Sequence, residues 1–299
     1  MLGPVSVEPG ELREFEAERP RLFAVAYRLL GSASEAEDAV QDTFLRWNSA
    51  DHAAVRNPAA WLTKVLTNLC LNRLTSARAR RESYVGPWLP EPVATGDGVE
   101  GPLATVERRD TVSMAFLLLL ERLTPPERAV FVLREAFDYG HREIAGILDL
   151  TEANCQQLYR RARSRIAEER PRFAASREDG HRIARRFLAA ARGGDLGRLE
   201  SLLADDVVAW ADGGGRTSAA RRPVRGARRV ARYLSGWMSR DVPGLRTSVT
   251  EVNGEPAILG IAEGQLLVAV VLDIADGRVA AVRTVNNPGK LGYLATQVL

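Results

Sequence analysis

Asn154, Gln156, Gln157, Arg160, Arg161, Arg163 and Arg165 crowd a single short stretch of this chain. A carboxamide pairs through two hydrogen bonds with an adenine edge, and a guanidinium pairs in the same way with guanine or grips a phosphate. Side chains of these types recognise nucleic acid only when a rigid element presents them together. Cys155, Leu158, Tyr159, Ala162 and Ile166 recur at helical spacing and form one buried stripe, which leaves the polar set on the other faces. Upstream lie an apolar helix, a break at Asp138-Tyr139-Gly140, and a second helix bearing Ile144, Ala145, Ile147 and Leu148. A sharp turn at Asp149-Leu150-Thr151 joins it to the polar helix, which Thr151 or Asn154 can cap. This is the helix-turn-helix pattern. A solvated helical hairpin is the plainer alternative, but amides at the helix start followed by arginines favour DNA. Asn154, Gln156, Gln157 and Arg160 sit where base edges are reached. Arg142, Arg161, Arg163 and Arg165 suit phosphates.

The chain has 299 residues, enough for two or three domains. Its net charge is only +3, so the case for nucleic acid rests on local placement. All but Lys64 and Lys290 of the 41 basic residues are arginines, so arginine as such carries little weight. Cys70 and Cys155 lie among apolar residues and read as buried, reduced thiols, not as a metal site or a disulfide. No apolar run approaches membrane length, and the acidic, polar N-terminus is unlike a signal peptide, so a cytoplasmic protein is expected.

Four segments follow from the patterning. Residues 11–82 read as helices, with a capping box at Ser34 and Glu37 and a helix starting at Asn57-Pro58. The latter ends in the basic cluster Arg78, Arg80 and Arg81. Residues 83–105 are a proline- and glycine-rich linker, in which Trp88 and Pro90 form a stiff aromatic segment suited to docking. Residues 106–170 hold the helix-turn-helix. Residues 177–299 open with two helices and continue as strand-like runs separated by glycine turns, which predicts an α+β domain with a curved antiparallel sheet.

The two helical blocks resemble the sigma-2 and sigma-4 regions of extracytoplasmic-function sigma factors. The resemblance rests on Asp38, Gln41, Asp42 and Phe44, on Trp61 with Asn68 and Asn72, and on Glu143-Ile144-Ala145, Asn154 and Arg161-Ala162-Arg163. Three further segments resemble signatures of the SigJ-like group, which fuses a SnoaL-like (NTF2-like) cone behind sigma-4. They are Trp88–Pro92, Asp212–Arg216 and Asn287–Leu291; Arg216 and Gly289 depart from the usual lysine and aspartate.

The resemblance implies that Asp38, Gln41, Asp42, Phe44 and Trp47 bind the clamp helices of core RNA polymerase, whose flap is a further contact. Asn68, Asn72, Arg73, Arg78, Arg80 and Arg81 would serve the −10 element, and the sigma-4 residues named above the −35 element of promoter DNA. Trp88, Pro90, Asp212, Gly213, Gly214, Gly215, Asn287, Pro288 and Lys290 would set the domains' relative position. Three successive glycines also suit close backbone approach, and the Asn287 segment suits docking as a peptide. No cofactor or catalytic residue is implied. Asp273 is the best remaining acid–base candidate, and a small ligand in the cone stays unnamed. The competing reading is a ligand-responsive helix-turn-helix regulator that never touches polymerase.

Overall fold

A computed structural model of the chain describes residues 9–96, 112–167, 176–238 and 242–299. Chain contacts divide it into a helical unit, which includes 9–80 and 116–167, and a second unit, which includes 81–96 and 176–299.

The helical unit begins with α1 (Pro9–Leu30), which stops at Gly31 in the left-handed conformation. Helix α2 (Ala33–Asn48) is capped by Ser32, whose hydroxyl accepts from the Glu35 N–H at 3.1 Å. The cap thus lies two residues ahead of the expected Ser34. Helix α3 (Pro58–Glu82) carries its proline in the first turn, where no backbone donor is lost, and Asn57 caps it through the Ala60 N–H. Leu22, Tyr27, Trp47, Leu62, Leu66 and Cys70 are buried in the core of these helices. Helices α4 (Met114–Leu120), α5 (Pro125–Phe137), α6 (His141–Leu148) and α7 (Glu152–Ala167) follow. Both α5 and α6 end on an aspartate in the left-handed conformation, Asp138 and Asp149. Asp tolerates that region better than most residues, which lets the chain turn sharply without glycine.

The second unit starts with α8 (Arg177–Arg192) and α9 (Leu196–Leu202), then β1 (Leu203–Asp212), β2 (Val224–Arg225) and α10 (Ala227–Met238). Strands β3 (Arg246–Val252), β4 (Glu255–Ala262), β5 (Gln265–Ala275) and β6 (Arg278–Val285) form a meander, and α11 (Pro288–Val298) closes the chain. The sheet order is β2-β1-β6-β5-β4-β3. It differs from the expected antiparallel sheet in one pairing: β1 lies parallel to β6, so the sheet is mixed. Phe187, Leu199, Val207, Val230, Leu234, Val270, Leu272 and Val282 meet in an apolar core between one sheet face and helices α8 to α10.

The proline-rich segment is stitched to this unit. Ala94 bridges Val252 on the outer strand β3, with the Asn253 N–H donating to the Val93 carbonyl at 2.9 Å and the Thr95 N–H to the Glu251 carbonyl at 3.2 Å. The C-terminal tail is not an extended peptide. Asn287 caps α11 by accepting from the Gly289 N–H, and Pro288 takes the first helical position.

Candidate nucleic-acid interface

Helix α7 is set up by Thr151, which accepts the Asn154 N–H at 3.2 Å. Cys155 and Ala162 are buried, while Leu158, Tyr159 and Ile166 are half-buried along the same stripe. The Tyr159 hydroxyl donates to the Glu135 carboxylate on α5, which with burial holds the phenol protonated. The opposite face is open: Asn154, Gln157, Arg160, Arg161 and Arg163 are exposed, as is Arg142 on α6, and Gln156 is half-buried. Arg165 departs from expectation. Its guanidinium pairs with Glu127, which is buried in the first turn of α5, so although the side chain remains exposed it also braces the motif.

On α2, Asp38 and Gln41 are exposed. Asp42 is instead engaged by Arg73 of α3 at 2.7 Å, and the same guanidinium lies 3.7 Å from Asp38 and donates to the Glu35 carbonyl. Arg73 therefore ties α3 to α2. Phe44 packs half-buried against Phe15. Trp47 is only 1% exposed; it donates to the Glu11 carbonyl and packs on Trp61. Its ring belongs to the core and offers no surface to a partner. Asn68 is half-buried and Asn72 exposed, one turn apart on α3. The side chains of Arg78 and Arg80 lie outside the described residues. Arg81 stacks on Trp88 at 3.8 Å.

The helical unit also joins the two motifs to each other. Lys64 of α3 pairs with Asp149 in the helix-turn-helix turn at 2.5 Å and donates to the Gly146 carbonyl at 3.2 Å. The Thr63 and Tyr139 hydroxyls meet at 3.1 Å, and buried Arg128 donates to the Arg28 carbonyl while pairing with Glu121 at 2.6 Å. Burial pulls the Arg128 guanidinium down to about 9, which still leaves it charged at neutral pH. Nothing in the local sequence pattern marked Lys64 or Arg128 for this role.

In the second unit the signature residues converge on one carboxylate. Asp212, at the end of β1, is wholly buried. It accepts from the Tyr84 hydroxyl at 2.5 Å, the Leu89 N–H at 2.8 Å, the Gly214 N–H at 3.1 Å and the Lys290 ammonium at 2.6 Å. Lys290 also donates to the Leu89 carbonyl, and Asn287 donates to the Tyr84 hydroxyl. The Trp88 ring lies under both Arg81 and Lys290. Burial lowers Lys290 to about 8 against the opposing pull of Asp212, and raises Tyr84. Gly214 is required here: its φ is +59°, and a Cβ would stand 2.2 Å from the Asn287 amide nitrogen. Tyr84, the missing partner, adjoins the linker motif but carries no signal of its own.

Asp273 is on the sheet face opposite the apolar core. It alternates with Leu272 and Ile274, which point into that core, and lies 3.5 Å from Arg283, itself placed over Trp210. Among the described residues, no helix is long and apolar enough to cross a membrane.

Three family models match: sigma-70 region 2 over residues 15–80, sigma-70 region 4 over 113–166, and a SnoaL-like domain over 184–286. Among curated relatives, the ECF RNA polymerase sigma factor SigJ of Mycobacterium tuberculosis is 39% identical, across 94% of this chain and 93% of that protein. The probable ECF RNA polymerase sigma factor SigI of the same organism is 32% identical, across 95% and 96%. The crystal structure of Mycobacterium tuberculosis SigJ superposes with a TM-score of 0.76 at 35% identity, covering 94% of this chain and 98% of that one. With both helical regions and the fused domain matched in order, the chain belongs to the ECF RNA polymerase sigma factors.

Proposed function

We propose that this chain binds core RNA polymerase and directs promoter-specific initiation, with the C-terminal domain modulating that activity. The observation that carries the reading is the open face of α7, where amides and guanidiniums surround a capped helix start beside the buried stripe. Asn154, Gln156, Gln157 and Arg160 would enter the major groove at the −35 element, with Arg142, Arg161 and Arg163 on phosphates. Asn68 and Asn72 would take the edges of an unpaired base at the −10 element. Asp38 and Gln41 are the exposed polymerase-facing groups, while Asp42 holds its helix through Arg73.

The arrangement within the helical unit also supports regulation. The two promoter elements stand about 25 base pairs apart, roughly 85 Å of duplex at about 3.4 Å per step. Lys64, on the helix assigned to one element, touches the turn of the motif assigned to the other at 2.5 Å. Both elements cannot be engaged in that state, so binding has to open it. The C-terminal domain is assigned no catalytic step, and a small ligand in its core is not part of the proposal. Its knot around Asp212 holds the linker between the two sigma regions, which gives it a mechanical handle on them.

Run-off transcription with core polymerase on genomic fragments tests the reading. The full chain should yield discrete transcripts. Asp38→Lys combined with Gln41→Ala should weaken co-purification with core at least tenfold, with thermal unfolding unchanged. Sequence-selective DNA binding without core binding would instead establish the regulator that acts apart from polymerase.

A further inference from the structure

The whole chain carries a net charge of +3, yet residues 213–240 contain eight arginines and no aspartate or glutamate, so the rest of the chain is net negative. Besides the exposed Arg216 in the Asp212 loop, six of these arginines are described at the surface of the second unit. Arg221 and Arg222 precede β2, Arg225 lies on it, and Arg228, Arg229 and Arg232 line the outer face of α10, whose Val230, Ala231 and Leu234 point into the core. All six are exposed, and among the described residues none is in an ion pair or a side-chain hydrogen bond. Elsewhere the same unit pairs some of its cations with carboxylates: Arg177 with Glu251, Arg182 with Asp179, Arg283 with Asp273. On the adjacent strand β1, the carboxylate of Asp205 is 3.6 Å from Arg278. Codon-driven arginine use explains many arginines, but it does not explain a run without carboxylates.

We infer that the outer face of α10, formed by Arg228, Arg229 and Arg232 within this carboxylate-free run, is a second, sequence-independent binding site for the phosphate backbone of duplex DNA. A protein partner fits this surface less well, because protein interfaces centre on buried apolar and aromatic residues. No large exposed hydrophobic residue lies between Gly213 and Met238; the nearest, Val242, is beyond them. A surface of guanidiniums without an apolar centre supplies charge neutralisation and little else, which is what phosphate contacts require. The α7 face is built differently, with amides among its arginines. The two surfaces divide the work: α7 selects, and the α10 surface holds. This inference does not depend on polymerase binding.

The test uses the full chain and its variant Arg228→Gln/Arg229→Gln/Arg232→Gln, with fluorescence anisotropy on a random-sequence duplex and on a promoter fragment. Salt is varied from about 50 to about 200 mM. Each lost phosphate contact should reduce the slope of log affinity against log salt by about 0.9, so the variant's slope should fall by about 2–3, equally on both duplexes. Affinity at the low-salt end should drop about tenfold or more, while thermal unfolding stays unchanged. An unchanged slope overturns the site, as does an unmutated chain that fails to bind the random duplex at low salt. Loss of core polymerase binding with an unchanged slope would reassign the surface to a protein. Failure of the sigma reading appears separately, as absent run-off transcripts from an unmutated chain whose DNA binding and salt slope behave as stated.

Discussion

Each unit closes an ion pair with one of the chain's two lysines, and the two pairs are nearly the same length. Lys64 meets Asp149 at 2.5 Å in the helical unit, and Lys290 meets Asp212 at 2.6 Å in the α+β unit. Their surroundings differ. The side chains of Lys64 and Asp149 are 39% and 71% exposed, whereas those of Lys290 and Asp212 are 9% and 0% exposed. An exposed pair is weakened by water and salt, and contributes about 0–1 kcal/mol. A buried pair is kept charged only by its full set of partners, and removing one partner strands the other. Equal geometry therefore yields a latch in one unit and a rivet in the other. Lys64 joins two motifs that would have to separate under the proposed function; Lys290 joins a linker to a strand end and a helix start.

The comparison breaks most visibly at the rivet. Lys290→Met leaves Asp212 buried without its cation and should destabilise the second unit by about 3–5 kcal/mol in chemical denaturation. The double change Asp212→Asn/Lys290→Met should recover most of that loss. Equal losses for the single and double variants would mean that the pair is not the source of the effect.

A pH series sharpens the same contrast. Lys290 holds its proton less tightly in the fold, near 8, than the ordinary value of 10.5 that applies unfolded. Between these values the unfolded state binds the extra proton, so this group makes stability rise with pH from about 8 to 10.5. The expected gain is on the order of 1–3 kcal/mol, seen as a difference from Asp212→Asn/Lys290→Met, which should lack it. The opposite slope in that difference would show that Asp212 outweighs desolvation.

The latch should give the smallest thermodynamic effect. Lys64→Met should change the stability of the helical unit by less than about 1 kcal/mol. Its consequence should be kinetic, with core polymerase captured faster than by the unmutated chain. A large loss of stability at this position would erase the distinction between the two lysines.

The contrast also separates what was legible in the sequence from what was not. The stripe Cys155, Leu158, Tyr159, Ala162 and Ile166 and the strand runs of the second unit follow local periods, and both are present where the pattern places them. The parallel pairing of β1 with β6 is not local, since no residue in either strand encodes which neighbour it will meet. Ion pairs behave in the same way. Arg165 reads as an exposed helical cation until Glu127 is brought beneath it, and Arg73 reads as a DNA contact until α2 is packed against α3. The three signature segments could be found by resemblance, and the glycines suggested close approach. That they meet on one carboxylate with Tyr84 needed three dimensions, because Tyr84, Asp212 and Lys290 are far apart along the chain.

The linker's attachment has a consequence for the fate of the sheet. Strand β3 is the outer strand on its side, and an uncovered outer strand offers its backbone groups to any passing chain. Here Val93, Ala94 and Thr95 already occupy part of that rim through the Ala94 bridge and its flanking hydrogen bonds. The proline-stiffened segment is thus a guard against self-association as well as a connector. A C-terminal domain excised without residues 84–96 would carry the same sheet with that rim bare, and would be sticky where the whole chain is not.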